Sequence, residues 1–304
     1  MKILVIPDVH LKPQMFKQAT ALMHQGIADR AVCLMDIPDD WDKQYNVGLY
    51  EETYDEAIRF AKAFPETAWC YGNHDLSYLW HCLESGYSSM ASMTVQRKLL
   101  DLREAVPEDN PIKYVQRIDN VLFSHGGVLN FFVEEYVPRA KYNDVDAVLE
   151  TINQLGRIEM WNDASPIWLR PQHSKMRLYK PRKLLQVVGH TPMDAITKEG
   201  NLISTDVFST YRDGKPIGTE EFLLLDTVTW EYCGISNASQ ADCHRSKPHP
   251  VYQALQLDKR GAIHIYGGLQ KRSGQTDFVY SFELVARKRC VFDCFYIIED
   301  LRRL

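Results

Sequence analysis

The chain has 304 residues, of which 45% are hydrophobic and 25% charged, and a formal net charge of −5 at pH 7. That length suits one large domain or two smaller ones, and the composition is that of an ordinary globular protein. No apolar run approaches the roughly 20 residues that cross a bilayer, and the acidic balance argues against a broad nucleic-acid footprint.

The first segment, Lys2–Ile6, is an apolar run that stops at Pro7. It has the length of a buried strand and is too short for the core of a signal peptide, so a cytoplasmic protein is expected. Met15, Phe16, Ala19, Leu22 and Met23 then recur at helical spacing, with Gly26 as a stop. Ala31–Leu34 predicts a second strand, and Tyr54, Ala57, Ile58, Ala61 and Phe64 predict a second helix ended by Pro65. Thr67–Cys70 predicts a third strand. Strands alternating with helices indicate an α/β protein with a largely parallel sheet.

Residues 77–111 read as mainly helical. Further on, Val121–Phe123, Leu185–Val188, Leu202–Ile203 and Phe222–Leu225 predict short strands. Asn143 or Asp144 is placed to cap a helix whose apolar face is Val145, Val148, Leu149, Ile152 and Leu155. A change of composition near Gly234 separates residues 1–233 from a C-terminal extension, 234–304. Ile235–Pro250 is rich in Ser, Asn, Gln, His and Pro and reads as a linker or long loop. Beyond it the balance turns basic, and Ala262–Tyr266 and Phe278–Ala286 have strand character. The seven cysteines form no framework of paired spacings, which predicts reduced thiols. Cys290 and Cys294 lie close together but lack the neighbouring ligands of a structural zinc site.

The polar residues carry the chemistry, and each early strand stops at a cluster of them. The first strand leads into Asp8-Val9-His10, the second into Asp36 with Asp39 three residues on, and the third into Gly72-Asn73-His74-Asp75. Later strands end at Ser124-His125-Gly126-Gly127 and at Gly189-His190-Thr191-Pro192. In an open α/β sheet, ligands collect outside the carboxyl ends of the strands, so the five clusters can converge. Carboxylate oxygens and imidazole nitrogens suit divalent Mn, Fe, Zn or Ni. Asp36 is placed to bridge two such ions, and two cations about 3.5–4 Å apart activate water and clamp phosphoryl oxygens. Taken singly, an Asp-x-His, a loop carboxylate or a buried histidine has an ordinary structural explanation. The shared strand-end placement makes a metal centre the stronger joint reading.

The same five blocks, in order, resemble the calcineurin-like metallophosphoesterases from Met1 to about Asp226. The resemblance narrows at His125-Gly126-Gly127, at the single histidine 190 and at Ile167-Trp168-Leu169-Arg170. These are similar to the phosphoprotein-phosphatase-like bacterial and phage branch, which includes diadenosine tetraphosphatases. The resemblance implies the metallo-dependent phosphatase fold, an α/β architecture of two stacked mixed β-sheets flanked by helices. It implies a phosphatase with a binuclear metal centre: Asp8, His10 and Asp36 on one divalent ion, and Asp36, Asn73, His125 and His190 on the other. It further implies a metal-bridging hydroxide as nucleophile, His74 as general acid, Asp39 as its orienter, and Asn73 among the substrate contacts.

Two departures bear on the substrate. Met35 stands where the family has glycine, and Asp40-Trp41 stand where phosphoprotein phosphatases have Arg-Gly. That arginine grips the substrate phosphate through charge-assisted hydrogen bonds. Arg170 is the best remaining clamp, with Arg182 and Arg177 behind it. The leading expectation is a phosphoester hydrolase acting on a phosphorylated small molecule, nucleotide or phosphoprotein. A dinucleoside polyphosphate hydrolase or phosphodiesterase is the alternative, since Trp41 and Trp168 suit a base-bearing substrate. From a different class, the alternative is a non-catalytic metal-containing binding module.

Overall fold

In the computed structural model, which describes residues 1–173 and 176–236 and three strands beyond them, the apolar run Lys2–Ile6 is the central strand β1 of a five-stranded sheet. It pairs in parallel with β2 (Arg30–Cys33), and β2 pairs in parallel with β3 (Ala68–Trp69). The helices α1 (Pro13–His24) and α2 (Val47–Ala63) form the connections that parallel pairing requires. On the other side of β1 the strand β9 (Phe222–Asp226) runs antiparallel, followed by β10 (Tyr232–Ile235).

A second five-stranded sheet has the order β4 (Val115–Ile118), β5 (Val121–Ser124), β6 (Leu185–Val188), β8 (Leu202–Ser204) and β7 (Thr197–Glu199). Its three inner strands β5, β6 and β8 are mutually parallel. Ile3, Val5, Val32 and Leu223 of the first sheet pack with Phe123, Leu185, Val187 and Ile203 of the second. Leu4, Ile6 and Trp69 belong instead to the larger cluster that includes Phe16, Tyr54 and Phe60 of the helices. Strands buried on both faces need no polar alternation, which is why they read as continuous apolar runs. Two stacked mixed sheets flanked by helices are thus the observed architecture.

The helical layer also contains α3 (Asn73–Trp80), α4 (Ser92–Ala105), α5 (Asn130–Tyr136), α6 (Val145–Asn153) and the short α7 (Arg157–Met160). Asp144 caps α6, accepting from the amides of Asp146 and Ala147 at 3.0 and 3.2 Å. The expected helix over 77–111 is interrupted. His81 adopts a left-handed conformation (φ 53°) that ends α3, and residues 81–91 form a loop containing Gly86 at φ +84°. Within it Ser88 donates its hydroxyl to the carbonyl of Gln44, which ties the loop to the segment before α2.

The chain divides into two compact units, Met1–Cys243 and His244–Leu304. β10 carries the first sheet past the composition change at residue 234. The second unit contains an antiparallel sheet of β11 (Ala254–Leu257), β12 (Ala262–Gly268) and β13 (Ser281–Arg287), in that order. Cys290, Cys294 and most basic residues of the extension lie outside the described residues. Cys33, Cys70 and Cys82 are free thiols, whereas Cys233 is disulfide-bonded. That bond departs from the expected reduced state, because spacing along the chain does not tell which cysteines meet in space. No helix among the described residues is long and apolar enough to cross a membrane.

Candidate active site

Parallel strands end at a common rim, and the predicted clusters occupy it: Asp8 and His10 follow β1, Asp36 follows β2 and Asn73 follows β3. From the second sheet, His125 follows β5 and His190 follows β6. The turns that aim these side chains are tight. His10, Asp36, Asp39 and His190 all adopt left-handed conformations, with φ of 42°, 43°, 65° and 63°. Non-glycine residues adopt this region rarely, and such strain concentrates at functional sites. Met35 is left-handed as well, at φ 55°, which accounts for glycine being favoured at that position.

Two groups of candidate ligand atoms converge, Asp8-His10-Asp36 and Asp36-His125-His190, and Asp36 belongs to both. Hydrogen bonds fix the rings. His10 donates from Nδ1 to the carbonyl of Asp39 at 2.9 Å, and His125 donates from Nδ1 to the carbonyl of Leu34 at 3.2 Å. His125 Nε2 then faces Asn73 Oδ1 at 3.0 Å, Asp36 Oδ2 at 3.0 Å and His190 Nδ1 at 3.1 Å. One ring nitrogen cannot donate to three acceptors. A divalent cation bonded at about 2.1 Å to adjacent ligands would leave them roughly 3 Å apart, which matches this spacing. Asp8 Oδ2 is buried without a hydrogen-bond partner, while its Oδ1 accepts from the amide of His190 at 2.7 Å. The residues present fit divalent ions.

The electrostatics point the same way. Burial alone would raise the Asp36 carboxyl, but the charges of His125, His74 and His10 outweigh it and hold it far below the usual range. Asp8 is raised, by burial first and by its neighbour Asp36, against the opposing pull of His125. Burial, His125 and Arg170 press the His190 imidazole down to about 2, which keeps it neutral and able to bind a metal. His125 is pushed up to about 9: burial opposes the charged form, but Asp36 and Asp8 favour it more strongly. A cation among these carboxylates would take the place of that proton.

Beside the rim, His74 Nδ1 lies 2.9 Å from Asp39 Oδ2. Burial opposes the imidazolium, yet the charge of Asp36 and the hydrogen bond to Asp39 push His74 up to about 9. Its amide donates to Asp36 Oδ1 at 2.9 Å, which fastens the start of α3 to the shared carboxylate. Asp75 braces the same junction, accepting from the amides of Asp36, Ile37 and Gly72 at 2.9, 3.2 and 3.1 Å. Burial and the charge of Asp36 push Asp75 up to about 7.

His10, Asp36, Asp39, His74 and His190 line one cavity of about 340 Å³, and Arg170 joins them. Arg170 donates from Nη1 to the carbonyl of His190, so its guanidinium is held at the rim. Arg177 and Arg182 do not line this cavity; they border another with Asn143, Lys180 and Lys183. The Asp40 carboxylate is engaged: Oδ2 lies 3.6 Å from Lys12 Nζ, and Oδ1 accepts from Thr210 at 3.0 Å. Trp41 donates from Nε1 to the Thr210 carbonyl at 3.1 Å, and the Arg212 guanidinium lies 4.7 Å from its ring centre.

Sequence reasoning missed Asp206, Arg212, Tyr50 and Tyr78, and left Asp75 without a role. Asp206 was reachable by the strand-end rule, since it follows β8 and lines the cavity. Burial and the nearby Asp8 push its carboxyl well up. Tyr50 and Tyr78 act through folding contacts that carry no local motif, Arg212 lines the cavity by stacking on Trp41, and Asp75 lies in a visible block but finds the amides of Asp36 and Ile37 only in the fold.

A family model for calcineurin-like phosphoesterases matches residues 1–217. The chain belongs to that family. It is accordingly a hydrolase of phosphoesters whose Asp and His clusters are able to hold metal. Among solved structures, the phosphoesterase is similar to the cold-active protein-tyrosine phosphatase of a psychrophilic Shewanella, 19% identical over 74% of this chain and 75% of that one, with a TM-score of 0.46. It is also similar to an archaeal phosphodiesterase, 15% identical over 77% and 99% of the two chains, with a TM-score of 0.35. A hypothetical protein of Pyrococcus horikoshii is 13% identical over 79% and 89%, with a TM-score of 0.40. Likenesses at this level carry no assignment of substrate. No curated protein matches the chain in sequence.

Proposed function

We propose that this phosphoesterase is a phosphatase that cleaves phosphate esters at a pair of divalent cations, with His74 as the general acid. The observation that carries the reading is the sharing of Asp36 between two ligand groups on the floor of the cavity that His74 and Asp39 also line. Asp8, His10 and Asp36 would hold one ion, and Asp36, Asn73, His125 and His190 the other. Bound there, two divalent ions supply an activated water and neutralise the phosphoryl oxygens.

The chain's own groups do the rest. Asp39 fixes the His74 ring through Nδ1 and favours its protonated form, leaving the Nε2 proton for the departing ester oxygen. Arg170, held by the His190 carbonyl, presents its guanidinium to the phosphate from the cavity wall. Asp40 is neutralised by Lys12 and turned to Thr210, so its charge is partly withdrawn from the substrate. Metal analysis coupled to phosphate release from phosphopeptides, nucleotides, dinucleoside polyphosphates and diesters tests this. Protein that binds Mn and turns over none of these would overturn it.

A second reading has its own observation, the Trp41–Arg212 stack on the cavity wall with Thr210 and Tyr211 beside it. An aromatic and cationic wall suits a base-bearing dinucleoside polyphosphate or diester. A strong preference for those substrates over simple monoesters would select it.

A further inference from the structure

The acid pair is supported from behind by two hydroxyls that nothing so far has used. Tyr50 of α2 donates to Asp39 Oδ1 at 3.0 Å, and Tyr78 of α3 donates to the same oxygen at 2.5 Å. Both tyrosines are fully buried. A carboxylate oxygen has two lone pairs, so Oδ1 is saturated and Oδ2 alone remains for His74. Tyr78 is itself held: its hydroxyl accepts from the Ser88 amide at 2.7 Å, and its ring stacks on Tyr87 with centroids 4.3 Å apart. The same loop packs on Asp39 directly, because a Cβ at Gly86 would come within 3.3 Å of the Asp39 Cβ.

We infer that Tyr50 and Tyr78 are positioning residues that hold Asp39 in the orientation His74 needs, and that Tyr78 links this orientation to the loop of residues 81–91 on the cavity wall. The inference rests on His74 being the general acid. Without the two donors, the buried Asp39 carboxylate is free to rotate toward other partners, and His74 loses the contact that directs its other nitrogen outward. Burial and the Asp39 charge push both phenols well above their ordinary value, so each remains an O–H donor at every working pH.

A positioning role is separable from a structural one by the leaving group. An alkyl phosphate needs its departing oxygen protonated, whereas an activated aryl phosphate leaves as a stable anion and needs little help. The experiment measures kcat and KM of the metal-loaded full chain on both substrates for Tyr50→Phe, Tyr78→Phe, His74→Asn and Tyr54→Phe. Tyr54 donates to Asp75 at 3.3 Å, so its variant also loses a buried hydroxyl on a carboxylate, but on Asp75 and not on Asp39, the carboxylate that holds the His74 ring. The expected result is that Tyr50→Phe and Tyr78→Phe lower kcat on the alkyl phosphate roughly tenfold, as part of the 10²–10⁴ an acid supplies, with less than about twofold change on the aryl phosphate. KM stays unchanged, His74→Asn shows the same selectivity more strongly, and Tyr54→Phe shows none. Equal losses on both substrates, or no loss, while His74→Asn stays selective, would overturn the inference and leave the acid intact. Unselective His74→Asn would instead overturn the acid assignment, and the inference with it.

Discussion

Replacing Gly72 by alanine is expected to displace Asp36 while leaving the fold in place. Gly72 has φ −92° and ψ 169°, an extended conformation open to any residue, so its glycine is not required by the backbone. What requires it is space. A Cβ there would lie 1.9 Å from Asp36 Oδ1, 2.6 Å from its Cγ and 2.9 Å from its backbone nitrogen. The carboxylate has to retreat by about 1 Å or more to relieve the overlap, and close-packed surroundings offer little room. Metal ligands tolerate displacements of only about 0.2 Å. Because Asp36 belongs to both candidate ligand groups, both of the proposed ions would lose a ligand together. The expected outcome is a Gly72→Ala protein that melts cooperatively, binds Mn at least about tenfold more weakly and loses about a hundredfold in kcat/KM, in line with losses from disturbed metal shells. Gly48→Ala serves as the control, since a Cβ there meets nothing closer than 3.8 Å. Metal content by mass spectrometry, metal titration and hydrolysis of an aryl phosphate measure the effect. A folded Gly72→Ala protein with wild-type metal content and rate would refute the placement of Asp36.

Gly189→Ala tests the Asp8-His10-Asp36 group through Asp8, because its Cβ would lie 2.0 Å from Asp8 Oδ2; weakened metal binding with a retained fold is expected by the same measurements. Met35 combines a left-handed backbone with a fully buried side chain, so both Met35→Ala and Met35→Gly should lower thermal stability. Their order should be inverted from that at an ordinary site, with the glycine variant more stable by about 1 kcal/mol, because alanine keeps the left-handed strain; denaturant titration decides the order. Arg170→Ala should lower kcat/KM by roughly tenfold to a hundredfold with metal content unchanged, and a drop in metal content would place Arg170 in support of His190 instead. Chelation should lower the melting temperature of the first unit by several degrees, since an ion at a hundred times its Kd adds about 2.7 kcal/mol; an unchanged melting curve would show that no resident ion stabilises the rim.

The parts that were legible share one property, that their cause is local or periodic. The stretch from Ile3 to Ile6 is buried on both faces, so an unbroken apolar run marks that strand, and in Leu185–Val188 only Gln186 interrupts one. The segment Val115–Ile118 escaped because Gln116 and Arg117 interrupt it. Gln116 is buried yet satisfied by the carbonyls of Trp69 and Pro111, a solution that only the folded chain provides. The ligand clusters were visible because each sits immediately after a strand. Tyr50 and Tyr78 were not, since each reads as an apolar position at helical spacing and its hydroxyl finds Asp39 only after α2 and α3 dock. The partners of Asp40 were hidden for a related reason: its charge is conspicuous in sequence, whereas Lys12 and Thr210 lie 28 and 170 residues away.

The arrangement also explains why the strain and the buried charge occur together. Asp8, Asp36, Asp75 and Asp206 crowd one rim, and burial pushes Asp8, Asp75 and Asp206 upward toward their neutral forms. A fold selected for stability alone would avoid placing four carboxyls out of water, since each carries a desolvation cost that only a partner offsets. Left-handed turns at His10, Asp36 and His190 add strain to the same rim. Both costs become intelligible once divalent charge is placed at the shared carboxylate. Cations held there would offset the crowded carboxyls, and the strained turns place Asp36 in both candidate ligand groups at once. The two sheets contribute separately to this rim, β1 to β3 from one and β5, β6 and β8 from the other. The site therefore depends on the packing of Ile3 and Val5 against Val187 and Ile203 as much as on the ligands themselves.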